Sequence, residues 1–274
     1  MAGRNPSPSK RGVIKGWSAA AVRRHTKWLY SIDAPQLTGV GVALTLTMRD
    51  TPPTADEFQR LREALLQRWR DAGATRFHWV IEWQRRGTPH IHAAVYFPDG
   101  TDPELTAAKL VFGWSAIAGQ YGVTMAAQHF DEISGPLGWL QYLSKHAARG
   151  VKHYQRNGHP QGWEKTGRLW GKGGDWPSDE PMRFDLSTSA YHRYRRLVRS
   201  WRVADARAEL VSARTPELAA KARRRVTYSR RMLSCNEPRL SAVRGVSDWL
   251  PEDVSLSLLA LLEADGFEVI QRVE

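Results

Sequence analysis

Apolar residues recur at every second position in two stretches of the chain that the segment Arg85-Arg86-Gly87-Thr88-Pro89 separates. Alternation with a period of two is typical of half-buried β-strands, and the Gly and Pro between the stretches favour a turn. The pattern therefore predicts a β-hairpin over residues 77–97. Its apolar face is made by the odd-numbered residues Phe77, Trp79, Ile81, Trp83, Ile91, Ala93, Val95 and Phe97.

The even-numbered positions of this hairpin carry Glu82, Gln84, His90 and His92. Directly opposite residues of an antiparallel pair point to the same face of the sheet. With the turn centred on Gly87, Glu82 is expected opposite His92 and Gln84 opposite His90. A shift of one residue would bury this polar set, so the alternation itself restricts the register.

Further periodic segments flank the hairpin and predict an α+β fold, a central antiparallel sheet of about five strands with helices packed on it. The remaining strands are predicted at residues 40–48, 123–130 and 182–186, and the helices at 54–72, 103–120 and 134–150. Residues 157–181 are rich in Gly, Pro and Trp. A long segment of this kind, without evident structure, is typical of a functional loop.

Charge is segregated along the chain, which predicts a basic N-terminal arm (1–36), a central domain (37–186), a basic helical extension (187–232) and an acidic tail with a helix (233–274). Seven Lys/Arg and no acid precede Asp33. Residues 19–30 either form a helix that lies along phosphates or belong to a disordered tail. The acidic tail is a packed helix, a docking element or a mimic that masks the basic face.

Overall composition indicates a phosphate-rich partner and a reducing compartment. The net charge is +12 and the pI is about 10.1, a balance that favours nucleic acid. A single cysteine, Cys235, excludes an intrachain disulfide. Since no membrane-spanning run or signal peptide is apparent, we expect a cytoplasmic protein without a membrane partner.

Glu82, His90 and His92 together form a candidate metal site. Two imidazoles one residue apart in a strand point the same way, and the neighbouring strand adds a carboxylate. Three ligands with open positions are typical of a catalytic metal. Imidazole and carboxylate suit Mn²⁺ or Mg²⁺, while affinity alone would also admit Zn²⁺. Gln84 is either a ligand or a group that orients one, and the alternative is that both histidines are ordinary strand residues.

A second candidate lies on the predicted helix 134–150, where Tyr142 and Lys145 are three residues apart and share a face. A tyrosine attacks phosphate only if its phenolate is stabilised, which a nearby lysine or a divalent metal can do. Tyr142 could instead be a buried helix aromatic. His146, one turn further, is either a proton acceptor or metal neighbour, or an ordinary surface histidine.

Residues 37–186 resemble the HUH endonucleases, and among them the rolling-circle replication initiator (Rep) proteins of plasmids and single-stranded DNA phages. Three segments match in order: Ala43-Leu-Thr-Leu-Thr, Pro89-His-Ile-His-Ala-Ala-Val and Tyr142-Leu-Ser-Lys145. Gly167-Arg-Leu-Trp-Gly is also similar to phage-type initiators. The resemblance implies an RRM/ferredoxin-like sheet, His90, His92 and Glu82 as metal ligands, and Tyr142 as the nucleophile.

The resemblance also implies a reaction, in which one strand of single-stranded or hairpin origin DNA is nicked. The 5′ phosphate is then held on tyrosine, and the free 3′ hydroxyl primes synthesis. A separate host helicase and polymerase are expected, with the initiator acting as a monomer or dimer. Some phage initiators carry Y-x-x-K-Y-x-x-K, but here the second half reads His146-Ala-Ala-Arg149. We therefore expect a single-tyrosine enzyme.

Basic and aromatic residues outside these motifs are candidates for DNA contacts. The arginine-rich segments would bind phosphates in a salt-sensitive manner. The predicted contacts are Arg85, Arg86, Arg149, Lys152, Arg168, Arg193, Arg195 and Arg196. Trp163, Trp170 and Trp176 either stack on unpaired bases or belong to the core. Two alternatives remain, a transposase or mobilisation relaxase with the same core, and a non-catalytic nucleic-acid-binding protein.

Overall fold

The structure, a computed structural model, describes residues 12–135, 138, 139, 142, 146, 149–180, 182–231 and 250–272. The chain divides into two compact units, which are treated separately. The sheet unit comprises the residues up to His25 together with Leu37–Ser134 and Arg149–Trp176. The helical unit comprises Thr26–Gln36, Gly135–Ala148 and Pro177–Glu274.

The sheet unit is built on a five-stranded antiparallel sheet with the strand order β4-β1-β3-β2-β5. The strands are β1 (Val40–Leu46), β2 (Arg76–Trp83), β3 (Pro89–Phe97), β4 (His129–Ile133) and β5 (Trp170–Gly174). The helices are α1 (Ala19–Tyr30), which continues into the helical unit, α2 (Ala55–Asp71) and α3 (Pro103–Ala118). This architecture confirms the predicted α+β fold.

Helices α2 and α3 pack on the apolar face of the sheet. The side chains of Leu44, Ile81 and Ile91 are buried against Trp69 of α2 and Trp114 of α3 in one hydrophobic core. Local sequence features mark both ends of α2. The Thr54 side chain accepts a hydrogen bond from the Glu57 N–H at its start, two acids lie in the first turn, and two arginines lie in the last turn. These features confirm the predicted helix.

The fifth strand lies inside the segment that the sequence predicted to be a loop. Trp170–Gly174 has the sequence Trp-Gly-Lys-Gly-Gly, which carries little β-propensity. Its glycines are required by packing, because a Cβ on Gly173 would lie 2.4 Å from the Phe77 ring and one on Gly171 would lie 2.7 Å from the Trp79 ring. The strand therefore depends on aromatic rings of β2, which the local sequence does not reveal.

Two further strands differ from their predictions. β4 begins at His129, since residues 125–127 form a 3₁₀ turn instead of continuing the predicted strand 123–130. Residues Arg183–Leu186 are extended as predicted, but they form β6 and pair with β7 (Val269–Arg272) in a separate two-stranded sheet. The two strands are distant in sequence: Asp185 of β6 and Arg272 of β7, which form a hydrogen bond, are 87 positions apart.

The helical unit contains the predicted C-terminal helices. The basic extension forms α4 (Thr188–Ser212) and α5 (Pro216–Arg231), which begins at a proline, and the acidic tail forms α6 (Glu252–Ala264). A small core buries Tyr194 and Val198 of α4 against three leucines of α6. The domain boundaries predicted after residues 36, 186 and 232 stay predictions.

In the described part of the chain, no helix is both long enough and apolar enough to cross a bilayer.

The described N-terminal residues are folded, and α1 has the bounds predicted from the sequence. Two of these residues, Trp17 and His25, contact β2. The Trp17 indole N–H donates to the Ile81 carbonyl at 3.0 Å, and His25 of α1 lies against His78 of β2. The polar face of β2 and β3 is therefore buried almost as completely as the apolar face.

Candidate metal centre and its surroundings

The hairpin pairs with a register that differs by two residues from the predicted one. Glu82 lies opposite His90, and Val80 lies opposite His92. The loop is Arg85-Arg86-Gly87, closed by the Gln84 N–H donating to the Thr88 carbonyl at 2.9 Å. Gly87 has φ +86°, the left-handed residue that ends a three-residue hairpin loop. The prediction was wrong because it placed Gly87 at the centre of the turn, but a two-residue shift keeps every side chain on its face.

Glu82, His90 and His92 form a compact cluster on the polar face of β2 and β3. One ligand atom from each residue lies within 4.8 Å of the others. The Nε2 atom of His92 is 3.5 Å from the Glu82 Oε2 atom. All three residues are buried, and the Glu82 carboxylate has no exposed area. The predicted ligands are thus brought together by the strand pairing.

Thr45 of β1 contributes a contact on the far side of His92. Its Oγ1 atom is 3.0 Å from His92 Nδ1, and the two residues are direct partners in the β1–β3 register. With Nδ1 facing a hydroxyl, the Nε2 atom is the one directed to Glu82. A partner on the opposite ring nitrogen is what orients a ligating imidazole.

The donor set suits a divalent cation. Two imidazoles and a carboxylate are ligands for Mn²⁺ and Zn²⁺. Three protein ligands would leave further coordination positions on such an ion open. The residues therefore fit a divalent metal, whose identity the donor set leaves open.

Two arginines bind the same carboxylate, which sequence reasoning did not anticipate. Arg156 donates through Nε to Glu82 Oε1 at 2.9 Å, and Arg149 forms an ion pair with Oε2. Burial lowers the pKa of Arg156 to about 9 and, together with the neighbouring charge of Arg156, that of Arg149 to about 10. Arg156 lies in an irregular segment, where no periodic signal could have identified it.

Two glutamines lie near the cluster in different roles. Gln155 Nε2 is 3.4 Å from His90 Nε2, so this residue contacts a predicted ligand although the sequence did not indicate it. Gln84, predicted as a ligand or an orienting group, donates instead to the Thr47 hydroxyl that follows β1. Its position opposite Thr88 follows from the observed register, and the pair Trp83–Pro89 separates it from Glu82 and His90.

Tyr142 and His146 lie together in the helical unit. Both residues and Trp139 have helical backbone, as predicted for this segment. The Tyr142 ring stacks on Trp139 with a centroid distance of 5.4 Å, and its centroid is 4.7 Å from that of His146. All three side chains are buried. Lys145, the predicted partner of Tyr142, lies outside the described residues.

The predicted DNA contacts occupy varied surroundings. Arg85 and Arg86 are exposed in the hairpin loop, and Lys152 and Arg168 are exposed in the segment before β5. In α4, Arg193 forms an ion pair with Asp265, and Arg195 and Arg196 lie within the same helical turn. Their role in binding DNA stays a prediction.

The tryptophans of the predicted loop segment belong to the core. Trp163 is buried between Phe58 and Trp83, and its indole N–H donates to the Pro52 carbonyl at 2.8 Å. Trp176 is buried against Tyr96. Trp170 is half-buried against His25. Of the two interpretations of these residues, the structure supports packing.

Known proteins match the chain over a range that contains this cluster. Residues 41–147 match the family model for the replication-associated protein ORF2/gene II protein, a range that holds Glu82, His90, His92 and Tyr142. A protein of Xylella fastidiosa (strain 9a5c) whose name describes it as a replication protein is 47% identical over 268 residues, which is 94% of this chain and 90% of that protein. No solved structure matches.

A second relative extends the match to a phage. The replication-associated protein of Pseudomonas phage Pf3 is 41% identical over 263 residues, covering 95% of this chain and 90% of the phage protein. Identity at this level over nearly the whole length implies a shared fold and a shared ancestor. These matches confirm the resemblance to rolling-circle replication initiators, and the chain belongs to the family of the replication-associated protein ORF2/gene II protein.

Proposed function

We propose that this replication protein is a metal-dependent DNA nickase that forms a 5′-phosphotyrosine through Tyr142. The observation that carries the proposal is the buried Glu82–His90–His92 cluster, in which two imidazoles and one carboxylate converge within 4.8 Å. Burying two imidazoles and a carboxylate costs free energy, so such a cluster is expected to have a function. Membership of a family of replication proteins supports a function in replication initiation.

Each ligand has a defined part in the proposed site. His90 and His92 present imidazole nitrogens from alternate positions of β3, and Glu82 neutralises charge from the paired strand. Thr45 holds the orientation of His92 through the 3.0 Å contact to Nδ1. When bound, Mn²⁺ or Mg²⁺ would polarise a phosphate oxygen and stabilise charge that develops in the transition state.

Tyr142 acts as the nucleophile in this proposal. Its Oη attacks the scissile phosphorus, the bond from phosphorus to the 3′ oxygen breaks, and the 5′ phosphate remains on tyrosine. The phenol loses its proton, and the departing 3′ oxygen takes one up. The strand is left with a 3′ hydroxyl that can prime synthesis, and reversal of the same step rejoins strands. His146, whose ring lies beside that of Tyr142, is the nearest described candidate for accepting the proton.

Single-stranded or hairpin origin DNA is the proposed substrate. The chain carries a net charge of +12, and its basic residues include the exposed hairpin-loop arginines Arg85 and Arg86. A protein without a second tyrosine at position 146 would end a round through another protomer, through water or by reversal. Unwinding and synthesis would be supplied by a host helicase and polymerase in the bacterial cytoplasm.

The test is covalent capture of labelled single-stranded DNA that spans the cognate origin, in the presence of Mn²⁺. Wild-type protein is expected to form a denaturant-stable protein–DNA adduct, and chelation is expected to abolish it. Tyr142→Phe should form none, while Tyr154→Phe, a tyrosine outside the motif, should behave as wild type. If wild type forms no adduct and only binds DNA, the protein is a non-catalytic binding module.

A further inference from the structure

The Glu82 carboxylate has a different arginine on each oxygen. Arg156 holds Oε1, and Arg149 holds Oε2, which is also the oxygen 3.5 Å from His92 Nε2. A cation shared by the two imidazoles and this carboxylate would bind through Oε2. Arg149 and the metal would therefore compete for the same carboxylate oxygen.

The two arginines differ in how firmly they are held. The Arg156 side chain has no exposed area, lies 4.3 Å over the Trp17 ring and also donates to the Arg149 carbonyl. The Arg149 side chain is 15% exposed. Arg156 is thus built into the core, whereas Arg149 can leave by rotating its side chain towards solvent.

We propose that Arg149 is exchanged for the metal at Glu82 and, once displaced, binds a phosphate of the DNA strand. Arg156 stays on Oε1 and acts as a positioning residue that keeps Oε2 directed at His92. This inference rests on the proposed metal site but adds a coupling that the site alone does not contain. Metal binding would create one phosphate contact, so DNA affinity and metal affinity would rise together.

The exchange adds one positive charge to the site, because a divalent cation replaces a single guanidinium group on the Glu82 carboxylate while Arg156 stays in place. An anionic DNA phosphate would offset that added charge. The released guanidinium is a planar donor that matches a phosphate in a bidentate manner. The displaced Arg149 side chain would form an ion pair with the phosphate instead of lying unpaired among other cations.

The first experiment measures Mn²⁺ binding by calorimetry, using full-length chain that carries Tyr142→Phe. Adding Arg149→Gln is expected to tighten Mn²⁺ binding roughly tenfold, since a charge-assisted pair of this strength no longer competes for Oε2. Arg49→Gln is the matched control, because Arg49 forms an ion pair with Asp50 on the surface, and it should leave Mn²⁺ affinity unchanged. Equal or weaker Mn²⁺ binding by Arg149→Gln would overturn the inference.

The second experiment asks whether the phosphate contact depends on metal. Binding of a single-stranded oligonucleotide is titrated with salt by fluorescence anisotropy, with saturating Mn²⁺ and with chelator. Arg149→Gln should reduce the slope of log affinity against log salt by about 0.7 with Mn²⁺ and by nothing with chelator. The same reduction under both conditions would mean that Arg149 is a constitutive DNA contact, and the exchange would be wrong.

A third variant keeps the inference testable if the Arg149→Gln protein does not fold. Arg149→Lys retains the charge but places a compact, strongly hydrated ammonium group where the guanidinium contacts Oε2, so its Mn²⁺ affinity is expected between those of wild type and Arg149→Gln. If the Arg149→Gln protein does not fold, Mn²⁺ binding by Arg149→Lys that is no tighter than wild type would count against the exchange. Failure of the proposed metal site can be distinguished from failure of the exchange, because without a metal site the Tyr142→Phe protein itself would not bind Mn²⁺.

Discussion

His25 and His78 form a buried imidazole pair that we expect to make the sheet unit sensitive to acid. Their Nε2 atoms are 3.0 Å apart, so one ring donates a hydrogen bond to the other, and neither side chain has exposed area. Burial lowers the pKa of His78 to about 3, with a further contribution from Arg156. Burial, His78 and Arg156 lower the pKa of His25 well below its ordinary value. Protonation of either ring would place an extra charge inside the sheet unit.

The sign and size of the effect follow from linkage. Unfolded imidazoles have a pKa of about 6.5, so below that pH the unfolded state binds more protons than the folded state. Stability that is fully present above pH 6.5 is therefore lost as the pH falls towards 3. From about pH 7.5 to about pH 5, His78 lowers the free energy of unfolding by about 2 kcal/mol, and the lowered pKa of His25 acts in the same direction.

The assay is urea unfolding followed by tryptophan fluorescence at both pH values. In the double variant His25→Asn/His78→Asn, the loss of unfolding free energy on acidification should be smaller than in wild type by at least about 2 kcal/mol. Each protein is compared with itself, so a general loss of stability in the variant cancels. The control is His192→Asn, at an exposed position of α4, which should lose as much unfolding free energy between the two pH values as wild type. If the double variant loses as much stability as wild type, the pair does not titrate as argued.

Three further outcomes are expected. Glu82→Gln should weaken Mn²⁺ binding by at least about tenfold, as measured by calorimetry, because the carboxylate is the charged ligand of the cluster; unchanged affinity would exclude it as a ligand. Trp163→Ala should lower the free energy of unfolding by about 3–5 kcal/mol in urea titrations, since it empties a buried site; a cost below about 1 kcal/mol would contradict its core position. Gly173→Ala should lower the free energy of unfolding by about 1–3 kcal/mol, because the added methyl group would contact the Phe77 ring. The control is Gly119→Ala, whose added methyl group meets no atom within 4 Å and which should be neutral or slightly stabilising. Equal melting temperatures for the two variants would contradict the placement of β5.

Local patterns were sufficient wherever an element is defined by its own residues. The bounds of α1 match their prediction, and α2 follows from its Thr54 cap and helical spacing. The hairpin followed from its alternation, and that alternation placed Glu82, His90 and His92 on one face. Because strand periodicity is two, even an error of two residues in the register left this grouping intact.

Local patterns failed where a distant partner decides the structure. β5 is Gly-rich, and its glycines are explained only by the rings of Phe77 and Trp79 above them. β6 was expected as a strand, but its partner β7 comes from the acidic tail and has no matching signal. The hairpin register was wrong because one left-handed glycine ends the loop instead of occupying its centre.

The candidate site shows the same division. The sequence by itself determined the α+β class, the polar hairpin face with its three candidate ligands, and the Tyr142 motif, since periodicity and spacing are properties of neighbouring residues. Only the tertiary structure decided that Arg149 and Arg156 share the Glu82 carboxylate and that Thr45 and Gln155 contact the histidines. These contacts join residues up to 74 positions apart. Burial then determines their strength, because removing a carboxylate from water makes its arginine partners necessary.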